Sequence, residues 1–277
     1  MGLLVRDDKW RIPDSVWELM EPLIPPGKPH PWGCHNPRVP DRRAMDAILF
    51  VLRTGCQWNA LNATGICSST SAHRRFQEWR DTDVFLEFWR QGLFAYDKLE
   101  GIEWSWLSMD GAMTKAPLGG GKTGPNPTDR AKDGAKRSLL TEGAGIPVGL
   151  AIDGANRNDF KLARETIQSI PVPRPEPTPQ HPQGMCLDKG YDYNEVRLLL
   201  QEFGFTAHIR CRGEEAKAIK EEVGFKARRW VVERTHSWMN RFRGVLIRWA
   251  KKAENYLGQL HLVCGLITWR AAGLFGS

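Results

Sequence analysis

The sequence lacks most of what marks a chain for membranes or for cysteine chemistry. No stretch approaches the roughly 18 consecutive apolar residues that a spanning helix needs. The opening run MGLLVRDDKWR is too short in its apolar part for a secretory leader, and acids follow at once. The expectation is a soluble, cytoplasmic protein with no membrane partner. The six cysteines stand at 34, 56, 67, 186, 211 and 264, and no two form a C-x-x-C pair. That argues against a zinc ribbon or finger, and scattered thiols in a chain of this length fit a reduced compartment. Acid is scarce in one place. From Lys226 to Lys252 there are nine Lys or Arg, and Glu233 is the sole acid.

What is present is a basic chain of 277 residues, 41% of them hydrophobic, with a formal net charge of +7 and a pI near 9.2. That balance favours a polyanionic partner, with nucleic acid first and an anionic membrane surface second.

Periodicity divides the chain near residue 100. Residues 1 to about 20 read as a short helix, and a Pro- and Gly-crowded linker covers about 21–40. From Asp41 the apolar residues Ala44, Ala47, Ile48, Val51 and Leu52 recur at helical steps until Gly55. A Ser/Thr cluster then caps a basic helix carrying Arg74 and Arg75, and an aromatic-rich helix follows. Three short helices with a basic one in the middle suggest a helix-turn-helix-like DNA-binding unit over 1–100, or equally a helical cap on the rest. From Trp104 the order becomes strand, strand, strand, helix, strand, helix, strand, helix, with a hairpin in KRSLLTEGA and PVGLAIDGA. That is a mixed α/β layer over 101–277. It matches the ribonuclease H-like fold, a mixed sheet with flanking helices, here joined to a small all-helical N-terminal domain.

Two acids end strands of this sheet: Asp110 the first and Asp188 the fourth. On adjacent strands both carboxylates would emerge together, and such a pair repels unless a cation lies between. Mg2+ or Mn2+ suits hard oxygen donors. Glu233, alone among cations on a helix, is what a metal ligand facing phosphates would look like. Asp153, at the end of the third strand, is the rival to Asp110, but that strand is the sheet's edge in this fold. GGGKTG resembles a P-loop only in part: position 116 is Ala where Gly is required, so nucleotide binding is rejected. A flexible basic loop is expected there instead, with Lys122, Lys136 and Arg137 as backbone contacts. Trp230, Trp249 and Trp269 read as core, whereas Trp238 could stack on unpaired bases at a DNA end.

The blocks SMDGAMTKA, GGGKTGPNPTDRAKDGAKRS, LDKGYD and RWVVERTHSWMNRF resemble, in order, insertion-sequence DDE transposases of the IS-five type, over roughly residues 40–270. The resemblance implies Asp110, Asp188 and Glu233 as catalytic acids and as ligands of two Mg2+ or Mn2+ ions. In related elements the third acid lies in a Tyr-x2-Arg-x3-Glu-x6-Lys signature. Arg229 and Glu233 match it, while Lys226 and Asn240 stand where Tyr and Lys would be. The implied activity is binding of terminal inverted repeats, cleavage at the element ends and joining of the freed 3′-hydroxyl to target DNA by in-line displacement. The implied partner is double-stranded DNA, with a dimer or larger assembly on paired ends. Arg229, Arg234, Arg241 and Arg243 are phosphate-contact candidates, with His236, Asn240 and Trp238 as auxiliaries. Two other readings share the expectation of DNA binding: a regulator or domesticated transposase that no longer cuts, and a metal-dependent nuclease that does not join.

Overall fold

The computed structural model of the chain describes residues 10–27, 38–209 and 230–274. The first helix, α1, is Asp14–Met20. Helix α2, Asp41–Thr54, buries Ala44, Ala47, Ile48, Val51 and Leu52 along one side. It stops at Gly55, whose φ of 67° is left-handed and whose amide donates to Val51 O at 2.8 Å; glycine takes that conformation without the Cβ penalty. Helix α3, Ser69–Asp81, is capped by Ser68, whose hydroxyl accepts from the Ser71 amide. Helix α4 is Val84–Leu99.

The sheet holds β1 (Trp106–Lys115), the two-residue β2 (Gly124–Pro125), β3 (Asp133–Thr141), β4 (Pro147–Gly154), β5 (Gln183–Leu187) and β6 (Phe205–Ile209). Its order is β4-β3-β1-β5-β6, with β2 also on β3. β1, β3 and β4 are antiparallel, whereas β5 and β6 run parallel to β1. This is the ribonuclease H-like topology expected from the element order. Helices α5 (Ala163–Gln168) and α6 (Asn194–Glu202) connect the later strands. The expected helix NDFKLARETIQSI is a 3-10 turn over Asp159–Leu162 followed by the short α5. After residue 230 come α7 (Trp230–Asn240), α8 (Arg243–Leu246) and α9 (Ala253–Ala271).

Consecutive residues of β3 point to opposite faces. Ser138 meets Thr166 of α5 at 2.7 Å, and Arg137 meets Asn240 of α7 at 2.8 Å. The sheet is therefore covered on both sides, which explains why β3 is buried beyond its first residue.

The hydrophobic core crosses the expected division near residue 100. One hydrophobic core contains Ile48, Phe85, Phe88 and Trp89 together with Leu139, Leu150, Leu187 and Leu260. Trp89 Nε1 donates to Pro147 O at 3.0 Å, and Trp269 Nε1 donates to Phe88 O at 2.9 Å. Two glycines let α4 and α9 approach closely: a Cβ at Gly265 would lie 2.5 Å from Phe88, and one at Gly92 would lie 3.0 Å from Trp269.

The glycine-rich loop after β1 is tied down. Arg248 is 1% exposed and donates to the carbonyls of Lys122 at 2.9 Å and Ala250 at 3.0 Å, among others. The Arg248 amide in turn donates to Lys115 O at 2.8 Å.

Candidate active site

The register of two strands brings Asp110 and Asp188 together. Ser108 of β1 pairs in parallel with Cys186 of β5, so two residues further along each chain stand Asp110 and Asp188. Asp110 does not end its strand. β1 continues to Lys115 on the β3 side, because β3 still supplies hydrogen bonds after β5 has stopped at Leu187. The flank of β1 opened by that departure is where the two acids meet. Asp188 caps the following 3-10 turn, its Oδ1 accepting from the Gly190 amide at 2.8 Å. Asp110 Oδ1 accepts from the Gly111 amide at 2.9 Å.

Glu233 comes from the first turn of α7 and is exposed. Three consecutive residues anchor that helix. Arg234 donates to Ala144 O and Thr235 donates to Gly145 O at 2.6 Å, both in the β3–β4 turn. His236 Nε2 lies 3.4 Å from Asp110 O.

Burial pushes the Asp110 carboxyl up to about 6, and the charges of Asp188, Asp159 and Glu233 push the same way against the Gly111 hydrogen bond. Those charges mark the four carboxylates as one basin. Burial likewise raises the Tyr191 phenol far above its usual range, helped by Asp159, Asp110 and Asp188. His236, 6% exposed and near Arg137, is held down to about 3 by burial first and that charge second. It is neutral at any physiological pH.

Among the described residues, no three Asp, Glu, His or Cys side chains close on a single point as a finished metal cage. The donor set nonetheless fits Mg2+ or Mn2+, which hold several waters and need only one or two carboxylates each. A cation would also offset the repulsion that adds to burial in raising Asp110.

Asp159 and Tyr191 were not among the candidates from sequence. Asp159 opens the 3-10 turn after β4, yet its side chain reaches back to the sheet. The one local signal was Gly111 beside Asp110: a Cβ at that position would lie 1.8 Å from Asp159 Oδ1. Asp153 sits on the edge strand and pairs with Arg157 at 3.5 Å.

The expected DNA contacts divide by exposure. Arg74, Lys122, Arg241 and Arg243 are exposed, although Lys122 also pairs with Glu165 at 2.9 Å. Arg234 is half-buried, its guanidinium 4.5 Å from the Trp230 ring and 4.7 Å from that of Trp238. Arg229 lies outside the described residues. Three candidates are corrected, because burial removes them from any surface. Arg75 is 5% exposed and pairs with Asp41. Lys136 is 6% exposed, with its Nζ 3.0 Å from Asp159 Oδ1. Arg137 is 2% exposed and donates to Asn240, so Asn240 serves the interior. Trp269 is core as expected, but Trp230 and Trp249 are exposed at 51% and 44%. Among the described residues, no helix is long and apolar enough to cross a membrane.

The chain is similar to known proteins of one family. Residues 12–89 match the family described as "Putative transposase of IS4/5 family", and residues 185–270, which include Asp188 and Glu233, match "Transposase DDE domain". The chain is 38% identical over 151 residues to a Burkholderia cepacia protein described as "Putative transposase for insertion sequence element IS402", covering 53% of this chain and 69% of that one. It is 35% identical over 120 residues to "Insertion element IS402 uncharacterized 16.2 kDa protein" of the same organism, covering 42% of this chain and 80% of that one. The catalytic domain of Mos1 mariner transposase superposes with a TM-score of 0.29 at 10% identity, over 69% of this chain and 95% of that one; a superposition that slight carries no argument. The matches at both ends of the chain, with a relative 38% identical over 151 residues and covered to 69% of its length, establish that the protein belongs to the insertion-sequence transposases with a DDE domain, of the IS-four/five type.

Proposed function

We propose that this transposase binds the terminal inverted repeats of its element, cleaves DNA at the element ends and joins the freed 3′-hydroxyl to target DNA. Asp110, Asp188 and Glu233 are the catalytic acids in this reading, and they hold two Mg2+ or Mn2+ ions. The observation that carries it is the β1–β5 register, which sets Asp110 beside Asp188, together with the charge that Asp188 and Glu233 impose on Asp110. When bound, the ions supply Lewis acidity and positive charge at the scissile phosphate. Asp110 and Asp188 hold the strand side of the site, and Glu233 closes it from α7. His236, buried and neutral, keeps α7 seated on β1 and moves no proton. Arg241 and Arg243, exposed beyond the end of α7, contact the DNA backbone. The helices before residue 100, with the exposed Arg74, recognise the ends. Two copies act on paired ends, in the cytoplasm and on the nucleoid.

The test incubates purified protein with Mg2+, a candidate element end and supercoiled plasmid, wild type beside Asp188→Ala. Wild type alone should cut and join, while the variant binds the end and leaves it intact, because it loses a metal ligand and keeps the phosphate contacts. Binding without cutting by wild type, across several ends and with Mn2+, would put the non-cleaving regulator first.

A further inference from the structure

Three consecutive residues, Asp159, Phe160 and Lys161, each take hold of a different part of the acidic basin. Asp159 lies against the backbone of Gly111, where any side chain would collide with it, and its Oδ1 is 3.0 Å from the buried Lys136 Nζ. Lys136 also donates to Arg157 O at 2.6 Å, just before this segment. Phe160 packs on Tyr193 with ring centroids 4.5 Å apart. Lys161 reaches Glu195 at 3.3 Å, at the start of α6. Residue 111 follows Asp110 on β1 and residue 136 lies on its partner strand β3, whereas residues 193 and 195 follow directly on the turn that Asp188 caps. Between them lies Tyr191, 1% exposed, on that same turn.

We propose that Asp159–Lys161 is a clamp that fixes the distance between Asp110 and Asp188, with Asp159 and Phe160 as its two positioning residues. This rests on the reading of Asp110 and Asp188 as metal ligands. The β1–β5 register puts the two acids side by side, but strand pairing no longer holds the backbone at Asp188, because β5 has ended at Leu187 and Asp188 caps the turn that follows. The exposed Lys161–Glu195 pair contributes little, since water screens it. The hold comes from the half-buried ion pair at one end and the aromatic contact at the other. Asp159 is close to Asp110 but is paired with Lys136, so it positions the basin without adding an unpaired carboxylate.

The test is Mn2+ affinity, measured by titration calorimetry or electron paramagnetic resonance on full-length protein without DNA, beside thermal melts without metal. The variants are Phe160→Ala, which touches no acid, and the double change Lys136→Gln with Asp159→Asn, which removes both charges and leaves no buried ion alone. Asp110→Asn is the control. Both clamp variants should melt as folded proteins and bind Mn2+ about tenfold or more weaker than wild type, the scale for losing an orienting group behind a metal ligand. A contribution to folding alone would lower the melting temperature and leave the affinity of the folded protein unchanged. Wild-type affinity in either clamp variant, with affinity lost in Asp110→Asn, overturns the clamp and leaves the catalytic reading standing. If Asp110→Asn binds Mn2+ as wild type does, the catalytic reading fails and the clamp with it.

Discussion

His236 Nε2 lies 3.4 Å from the backbone carbonyl oxygen of Asp110, so the helix that carries one acid rests on the peptide that carries another. The contact is to backbone, which leaves the Asp110 side chain free to face the site. An imidazole in this position must stay neutral, since a charge there would be buried beside Arg137.

Acid should loosen the fold through two histidines that packing shields from water. Burial holds His236 down to about 3 and His261 down to about 4, against about 6.5 in an unfolded chain. The unfolded state therefore takes up protons first as pH falls. The stability these groups contribute is complete above about 6.5 and is lost as pH drops toward 4 and 3. At pH 5 each costs about 2 kcal/mol. His261→Gln, remote from the acids, should reduce the loss in urea midpoint stability between pH 7.5 and pH 5 by that amount. Equal losses in wild type and variant would count against it.

Asp110 has the opposite sign. Its folded value of about 6 is above the unfolded 3.8, so the native state binds the proton more tightly and stability falls as pH rises from about 4 to 6. Asp110→Asn should therefore stabilise metal-free protein at pH 7, by roughly 1–2 kcal/mol once partial exposure is allowed for. Mg2+ should raise the melting temperature of wild type and not of the variant. A variant less stable than wild type without metal contradicts the electrostatic account.

Arginines that look alike in the sequence should behave differently. Arg137→Met should cost about 2–4 kcal/mol of stability, because it strips Asn240 and the Val245 carbonyl of a buried donor. The DNA affinity of the folded protein should hardly change. Arg241→Ala and Arg243→Ala, both exposed, should leave the melt within about 0.5 kcal/mol and each lower the salt slope of DNA binding by about one. A filter-binding series over salt concentration distinguishes them.

Because the core runs unbroken across residue 100, the described helices and the sheet should melt in a single transition. Gly265→Ala should lower that one transition, as its methyl group would meet Phe88 at 2.5 Å; overpacking of this kind costs about 1–3 kcal/mol. Two resolved transitions by calorimetry would show that the N-terminal helices fold on their own.

Local signals carried much of this into the sequence. The helical steps after Asp41, the stop at Gly55 and the Ser68 cap were readable because each depends on neighbouring residues. The placement of Asp110 and Asp188 followed from strand order, once the order was recognised. What could not be read was burial at long range. Lys136 and Arg137 sit in a lysine-rich, loop-like stretch, and only the register of β3 shows that both turn inward, to opposite faces. Asp159 was hidden for a related reason: its partners, Gly111 and Lys136, are 48 and 23 positions away. For Trp230 and Trp249, size argues for burial while the fold leaves both at its surface.

The bonds from Arg248 to the loop after β1 bear on what that loop would lose on meeting DNA. Glycines give the unfolded chain its greatest freedom at Gly119, Gly120 and Gly121, and a segment of that kind usually surrenders it only when a ligand arrives. Here the surrender is made during folding, with a guanidinium gripping the carbonyl of Lys122. The Lys122 ammonium, paired at the surface with Glu165, is thus carried on a backbone already ordered, and a polyanion that takes it over from that carboxylate does so without first having to still the loop.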